Sequence, residues 1–164
     1  MDATLVARRL GADPRTFRRA VERGAVKARR PPLRRPSQRR LDIDDAELGY
    51  LDANWRLIFT LQALLRTEPN VAAAVLFGSL ARGDGAASSD IDLLVDLRRD
   101  SATDAEALAG RLAGRLGRDV HITRASSAAH APGLLAEARA DGRPLVDRNG
   151  YWRRLQSRRL PRAA

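Results

Sequence analysis

Two carboxylates stand two residues apart at Asp90 and Asp92, ten residues after a Gly78-Ser79 pair, and these four residues are equipped to do chemistry. In a strand, residues i and i+2 point to the same side, so Asp90 and Asp92 share a face while Ile91 and Leu93 take the other. Two carboxylates so placed repel each other unless a cation lies between them. Ligation by oxygen alone at short spacing suits Mg2+, which keeps several waters and accepts phosphate oxygens as its remaining ligands. Gly78-Ser79 supplies the complementary part. It turns the chain into a short helix whose first backbone N–H groups, with the Ser79 hydroxyl, are free to take up phosphate oxygens. A phosphate cradle beside a Mg2+ carboxylate pair can move a nucleotidyl group from a nucleoside triphosphate to a hydroxyl, the metals stabilising the attacking and leaving oxygens. The alternative is an ordinary strand capped by solvated Asp and Ser. The apolar strand, the turn and the carboxylate pair, occurring together in that order, speak against it.

The elements that must position these residues can be read around them. Val71–Phe77 is a short apolar run cut off by Gly78, the mark of a strand entering a turn. The loop to Asp90 is rich in Gly, Ala and Ser, with Arg82 and Asp84 its only charges, and is built to turn rather than to pack. Residues 104–116 are amphipathic, with Ala107, Leu108, Leu112 and Leu116 inward, and cross over to a strand at Val120. A helix at 132–140, an edge segment at 142–147 and a last helix at 151–160 follow. His130, after a run of Ser and Ala, reads as a loop residue.

Gly78-Ser79, ten residues, then Asp90-Ile91-Asp92, with Arg82-Gly83 and Ser89 between, resembles the signature of the minimal nucleotidyltransferases of the polymerase-beta-like superfamily. The resemblance implies an α/β (α+β) fold with a small mixed sheet flanked by helices. It also implies Mg2+ on Asp90 and Asp92, and a nucleoside triphosphate, ATP by expectation, held around Gly78, Ser79, Arg82 and Ser89. Arg82 reads equally well as a surface residue of the loop. Members of the superfamily include antibiotic-modifying enzymes, toxins that modify tRNA, and antitoxins that adenylylate a partner toxin. They usually carry a third carboxylate on a following strand, as the base that takes the acceptor's proton. In Arg118-Asp119-Val120-His121-Ile122-Thr123 that position holds His121, whose imidazole suits proton transfer near neutral pH. Asp119 lies on the same strand face and is the other candidate.

The chain has 164 residues, no cysteine and a net charge of +10. It therefore has no disulfide framework and no thiolate metal site. No apolar run approaches the roughly 20 residues of a membrane span, and the first residues lack the pattern of a signal peptide. A cytoplasmic protein without membrane partners is expected. Charge is distributed unevenly: residues 1–43 hold 13 basic and 4 acidic side chains, residues 44–152 hold 12 and 16, and the tail from Arg153 holds five arginines. A coding bias toward arginine would load both halves alike, so the asymmetry points to a basic N-terminal module that meets a polyanion.

That module reads as two short helices, 4–10 and 13–23, the second opened by Asp13-Pro14 and stopped by Gly24. Residues 25–30 and 39–43 would form a hairpin whose tip carries Arg34 and Arg35. The pattern resembles a small winged helix-turn-helix of the MerR and excisionase type. That resemblance implies DNA contacts from Arg15, Thr16, Arg18, Arg19, Arg23, Lys27, Arg34 and Arg35; a solvated basic cap is the plainer reading. Residues 44–66 form one long helix with an apolar stripe of Leu48, Leu51, Trp55, Ile58, Leu61 and Leu65. The expected organisation is a DNA-binding module at 1–43, a linking helix at 44–69, the nucleotidyltransferase domain at 70–152 and a basic tail at 153–164. The expected activity is transfer of an NMP, AMP by preference, to a hydroxyl of a partner protein, as an antitoxin beside a cognate toxin. A transcription regulator that no longer catalyses, and a toxin acting on tRNA, are the alternatives.

Overall fold

Aspartates open the first two helices. In the computed structural model, which describes residues 1–29 and 41–157, Asp2 caps α1 (Ala3–Arg9) by accepting Thr4 N–H at 2.9 Å. Asp13 likewise caps α2 (Pro14–Arg23) through Thr16 N–H at 2.8 Å, and Gly24 ends that helix with φ +95°. The chain divides into two compact units, at Thr60 and Leu61, and the long helix α3 (Asp45–Arg66) contributes to both. In the first unit the apolar sides of the helices meet around Val6, Phe17, Ala20, Ile43 and Leu51, all buried. Trp55 lies 5.2 Å from Phe17 between ring centroids, which makes it a packing residue. The N-terminal amine binds Asp42 Oδ1 at 2.6 Å and the Ile43 carbonyl at 2.7 Å. Of the expected hairpin, the described residues show one isolated bridge, Arg29 to Asp42, and Asp42 also bridges to Asp2. Ala25 and Val26 are buried in the core instead of extending a ladder. Arg34 and Arg35 lie outside the described residues.

The second unit is a four-stranded mixed sheet flanked by helices, in the order β3-β2-β1-β4, as the catalytic resemblance implies. β1 (Val71–Phe77) is buried along its whole length and pairs antiparallel with β2 (Ile91–Leu97) and β4 (Arg143–Asp147). α4 (Gly78–Arg82) follows β1 directly. Between β2 and the parallel strand β3 (Val120–Arg124) runs the crossover helix α5 (Ala102–Leu116), as a parallel pairing requires. Ser101 caps α5 through Asp104 N–H at 3.0 Å, and Gly117 stops it at φ +63°. α6 (Ala125–Ala128), α7 (Pro132–Asp141) and α8 (Tyr151–Ser157) complete the unit. Ala128, Leu135, Ala138 and Leu155 from these helices pack on Val75, Phe77 and Leu94. Alternation along β2 puts Asp92 on the face of Leu94, beside this helical layer. Gly142, at the end of α7, admits the close approach to β1: a Cβ there would lie 2.9 Å from Val75 Cγ1. Arg148 donates to the carbonyls of Arg66, Glu68 and Val71 at 2.7, 2.9 and 2.6 Å, fastening the end of α3 to the start of β1. No helix among the described residues is long and apolar enough to cross a membrane.

Candidate active site

β1 delivers its last residue, Phe77, opposite Asp92 in the ladder, so the turn after it must pass against the Asp92 side chain. Gly78 makes that passage with φ +76°, and a Cβ there would stand 2.6 Å from Asp92 Oδ2. Two requirements therefore fall on one position, a left-handed backbone and room for a carboxylate, and only glycine meets both. The chain then winds through α4, whose end is closed by Gly83 and Asp84 N–H groups on the Ser79 carbonyl at 3.0 and 3.2 Å. Behind it the loop folds back. At Gly85 an added Cβ would lie 3.2 Å from Ser79 Oγ and 3.3 Å from Ser89 Oγ, so the two hydroxyls converge on the same glycine. Arg118 pins the end of the loop by donating from Nη2 to the Ser89 carbonyl at 2.6 Å, one residue before Asp90.

Asp92 faces His121 in the parallel ladder, which brings the imidazole between the two carboxylates. His121 Nδ1 lies 3.7 Å from Asp92 Oδ1 and Nε2 lies 3.8 Å from Asp90 Oδ2, ion-pair separations beyond hydrogen-bond length. Burial raises the Asp92 carboxyl above its ordinary value; His121 opposes this, and the charges of Asp90 and Glu137 add to it. Asp92 is thus a half-buried carboxylate in an acidic neighbourhood, the environment in which a cation is most useful. Among the described residues no group of three or more His, Cys, Asp or Glu side chains is arranged to hold a metal by itself. A pair of carboxylates such as Asp90 and Asp92 could hold Mg2+, an ion that draws most of its ligands from water and phosphate.

The fold thus brings Gly78, Ser79, Ser89, Asp90, Asp92 and His121 to one end of the sheet. Arg82, at the end of α4, is held by two carboxylates: its Nε donates to Asp84 Oδ2 at 3.1 Å and its Nη1 to Glu137 Oε1, and these partners raise its pKa. In the first unit Arg15, Arg18, Arg19 and Lys27 are exposed, Thr16 is half-buried with its N–H committed to Asp13, and Arg23 is partly buried with a bonding partner. Three residues at or behind the site escaped the sequence reading. Glu137 and Arg118 act across long sequence separations. Arg143 is 2% exposed, and its Nε bonds the Ala81 carbonyl at 2.9 Å, supporting α4 from beneath. No local pattern distinguishes such a buried arginine from a surface one; only the tertiary contact does.

The sequence profile of the family described as "Polymerase beta, Nucleotidyltransferase" matches residues 60–151. No curated protein matches the chain. Among solved structures, a chain from a crystal structure of a toxin-antitoxin with AMP-PNP shares 26% identity at a TM-score of 0.52, over 60% of this chain and 79% of that one. A chain of a mutant toxin-antitoxin MntA-HpeT complex shares 24% identity at a TM-score of 0.51, with the same coverage, and shows the likeness of fold. The profile spans the Gly78-Ser79 turn, the Asp90 and Asp92 pair and the His121 strand, and by it this chain belongs to the polymerase beta nucleotidyltransferase family.

Proposed function

We propose that this chain transfers AMP from ATP to a side-chain hydroxyl of a partner protein, in a Mg2+-dependent reaction. The partner would be a cognate toxin, which makes the chain an antitoxin. The observation that carries the reading is the seating of Asp92, beside Asp90, against the bare Cα of Gly78. That closeness supports reading the carboxylate pair and the Gly78-Ser79 turn as parts of one site. The toxin-antitoxin origin of the AMP-PNP structure supports the choice of nucleotide and partner class.

Asp90 and Asp92 would hold Mg2+; when bound, it offsets charge on the reacting phosphate and polarises it. The side chains keep 48% and 33% exposure, which leaves water access on the open side. Gly78 and Ser79 N–H groups with the Ser79 and Ser89 hydroxyls would bind phosphate oxygens, and Arg82 stands at the far end of the same short helix. The acceptor oxygen attacks the α-phosphorus, the bond to the bridging oxygen breaks, and pyrophosphate leaves. His121 would take the acceptor's proton, since it is the basic group nearest both carboxylates. Incubation of the chain, a candidate toxin and labelled ATP tests this. Label should appear on the toxin with wild type and vanish with Asp90→Asn/Asp92→Asn, and equal labelling by both would sink the assignment.

The exposed arginines of α2 support a second activity, binding of duplex DNA by the first unit, with Arg18 and Arg19 toward the bases and Arg15 and Lys27 toward phosphates. Affinity should fall steeply with salt. A truncation beginning at Asp44 that keeps full affinity refutes this. One observation favours a regulator without catalysis: the residue opposite Asp92 is His121 rather than a carboxylate. If wild type labels nothing and His121→Asp does, the regulator reading replaces the enzyme. If His121→Ala labels as fast as wild type, the imidazole is not the base.

A further inference from the structure

Arg82 ends α4, the short helix whose opening residues the proposed function gives to the triphosphate, and is tied at two points. Asp84 takes its Nε and Glu137 its Nη1. The two ties are not equivalent. Asp84 lies two residues away in the same loop and moves with Arg82, whereas Glu137 lies 55 residues away on α7, a helix packed on the sheet. Only Glu137 therefore fixes the guanidinium relative to the Asp92 strand, and the charge of Glu137 is felt at Asp92. A guanidinium has five N–H donors in one rigid plane. Nε and Nη1 use one each, and among the described residues nothing engages Nη2.

The pair contributes little as a salt bridge. Arg82 and Glu137 are 36% and 39% exposed, and ion pairs so exposed are weak and screened by salt. Its effect lies in orientation: an arginine already held at two points loses less freedom when an anion arrives.

We propose that Glu137 is a positioning residue for the nucleotide, acting through Arg82 to aim the free guanidinium donors at the incoming triphosphate. This rests on the reading of the Gly78-Ser79 turn as the phosphate site. The same carboxylate also places a negative charge near the phosphates, which by itself would weaken binding. Solvent screens that repulsion at this exposure, while hydrogen-bonded orientation is local and unscreened, so orientation dominates.

Calorimetric titration of the full chain with a non-hydrolysable ATP analogue and Mg2+, at fixed ionic strength, tests the proposal. Glu137→Ala should weaken binding about three- to tenfold, the cost of ordering one long side chain on binding. Glu137→Gln, whose amide oxygen still accepts from Arg82, should keep most of the affinity. Arg82→Ala should weaken binding at least as much as Glu137→Ala. The double variant should then be no weaker than Arg82→Ala, because Glu137 acts through that side chain alone. Tighter binding by Glu137→Ala, or losses that add in the double variant, overturns the proposal. Thermal unfolding checks that each variant is folded. Arg82→Lys keeps the charge but not the planar fork, and wild-type affinity in that variant overturns the proposal without any change at Glu137. Failure of wild type to bind the analogue removes the phosphate site itself; binding that ignores Glu137→Ala removes only its positioning role.

Discussion

Replacing Gly78 with alanine separates two costs that the structure places on one atom. At φ +76° an L side chain is strained by about 1–2 kcal/mol. The new Cβ would also lie 2.6 Å from Asp92 Oδ2, where ordinary contact begins at 3.4 Å, so the carboxylate must retreat by the better part of an ångström. Strain of that size lowers the melting temperature by about 5–15 °C in a unit of this length. A reacting group misplaced by about 1 Å loses about 10²-fold in rate. Gly117→Ala supplies the control, because Gly117 has φ +63° but nothing within 4 Å of an added Cβ. Both variants should melt earlier in a calorimeter, Gly78→Ala by at least as much as the control because it adds the contact with Asp92 to the strain. Only Gly78→Ala should lose AMP transfer, measured with labelled ATP well below either midpoint. Equal transfer by the two variants would show that Asp92 does not depend on the bare Cα and that the turn and the carboxylate pair are not one site.

Three other perturbations read the same geometry. Because the folded-state pKa of Asp92 is raised, folding binds a proton between its unfolded and folded values; stability falls as pH rises through that window and stays reduced at neutral pH. Asp92→Asn should therefore melt above wild type at pH 7 without divalent cations, lose that advantage below the raised pKa, and gain nothing from added Mg2+. Arg143→Met removes the donor to the buried Ala81 carbonyl and should cost about 1–3 kcal/mol in urea unfolding, with weaker nucleotide binding as α4 loosens. Phe17→Ala, deleting a ring that is 1% exposed and tilted against Trp55, should cost about 3–5 kcal/mol, read as loss of protection in the first unit.

The parts of this structure that follow local rules were legible in the sequence. The caps at Asp13 and Gly24 and the strand at Val71–Phe77 depend on residues within one turn of the event, and the structure has them there. The face shared by Asp90 and Asp92 follows from strand alternation, and His121 meets Asp92 because the parallel β2 and β3 ladder pairs these two residues. The partners of the charges were not legible. Arg82 read as a phosphate residue or a loop residue because its bond to Glu137 spans 55 positions, and nothing near either residue announces the other. Arg143 read as part of an edge segment for the same reason. Of the expected hairpin in the first unit, the described residues carry the Arg29 and Asp42 bridge, and its tip lies outside them.

The loop from Gly83 to Asp90 is fastened differently from the floor beneath it, and this gives the site two clocks. The floor is a ladder of paired strands with a fully buried β1, so its amide hydrogens exchange with solvent only when the whole unit opens. The loop hangs from a few single bonds, among them Ser89 N–H to the Ala86 carbonyl and Arg118 to the Ser89 carbonyl, and each can break without disturbing the sheet. Its amides should exchange through local opening, orders of magnitude faster than those of Val75 or Leu94. A nucleotide bridging Ser79 and Ser89 would slow the loop's clock without touching the floor's, so hydrogen exchange can read occupancy of the site before any chemistry occurs.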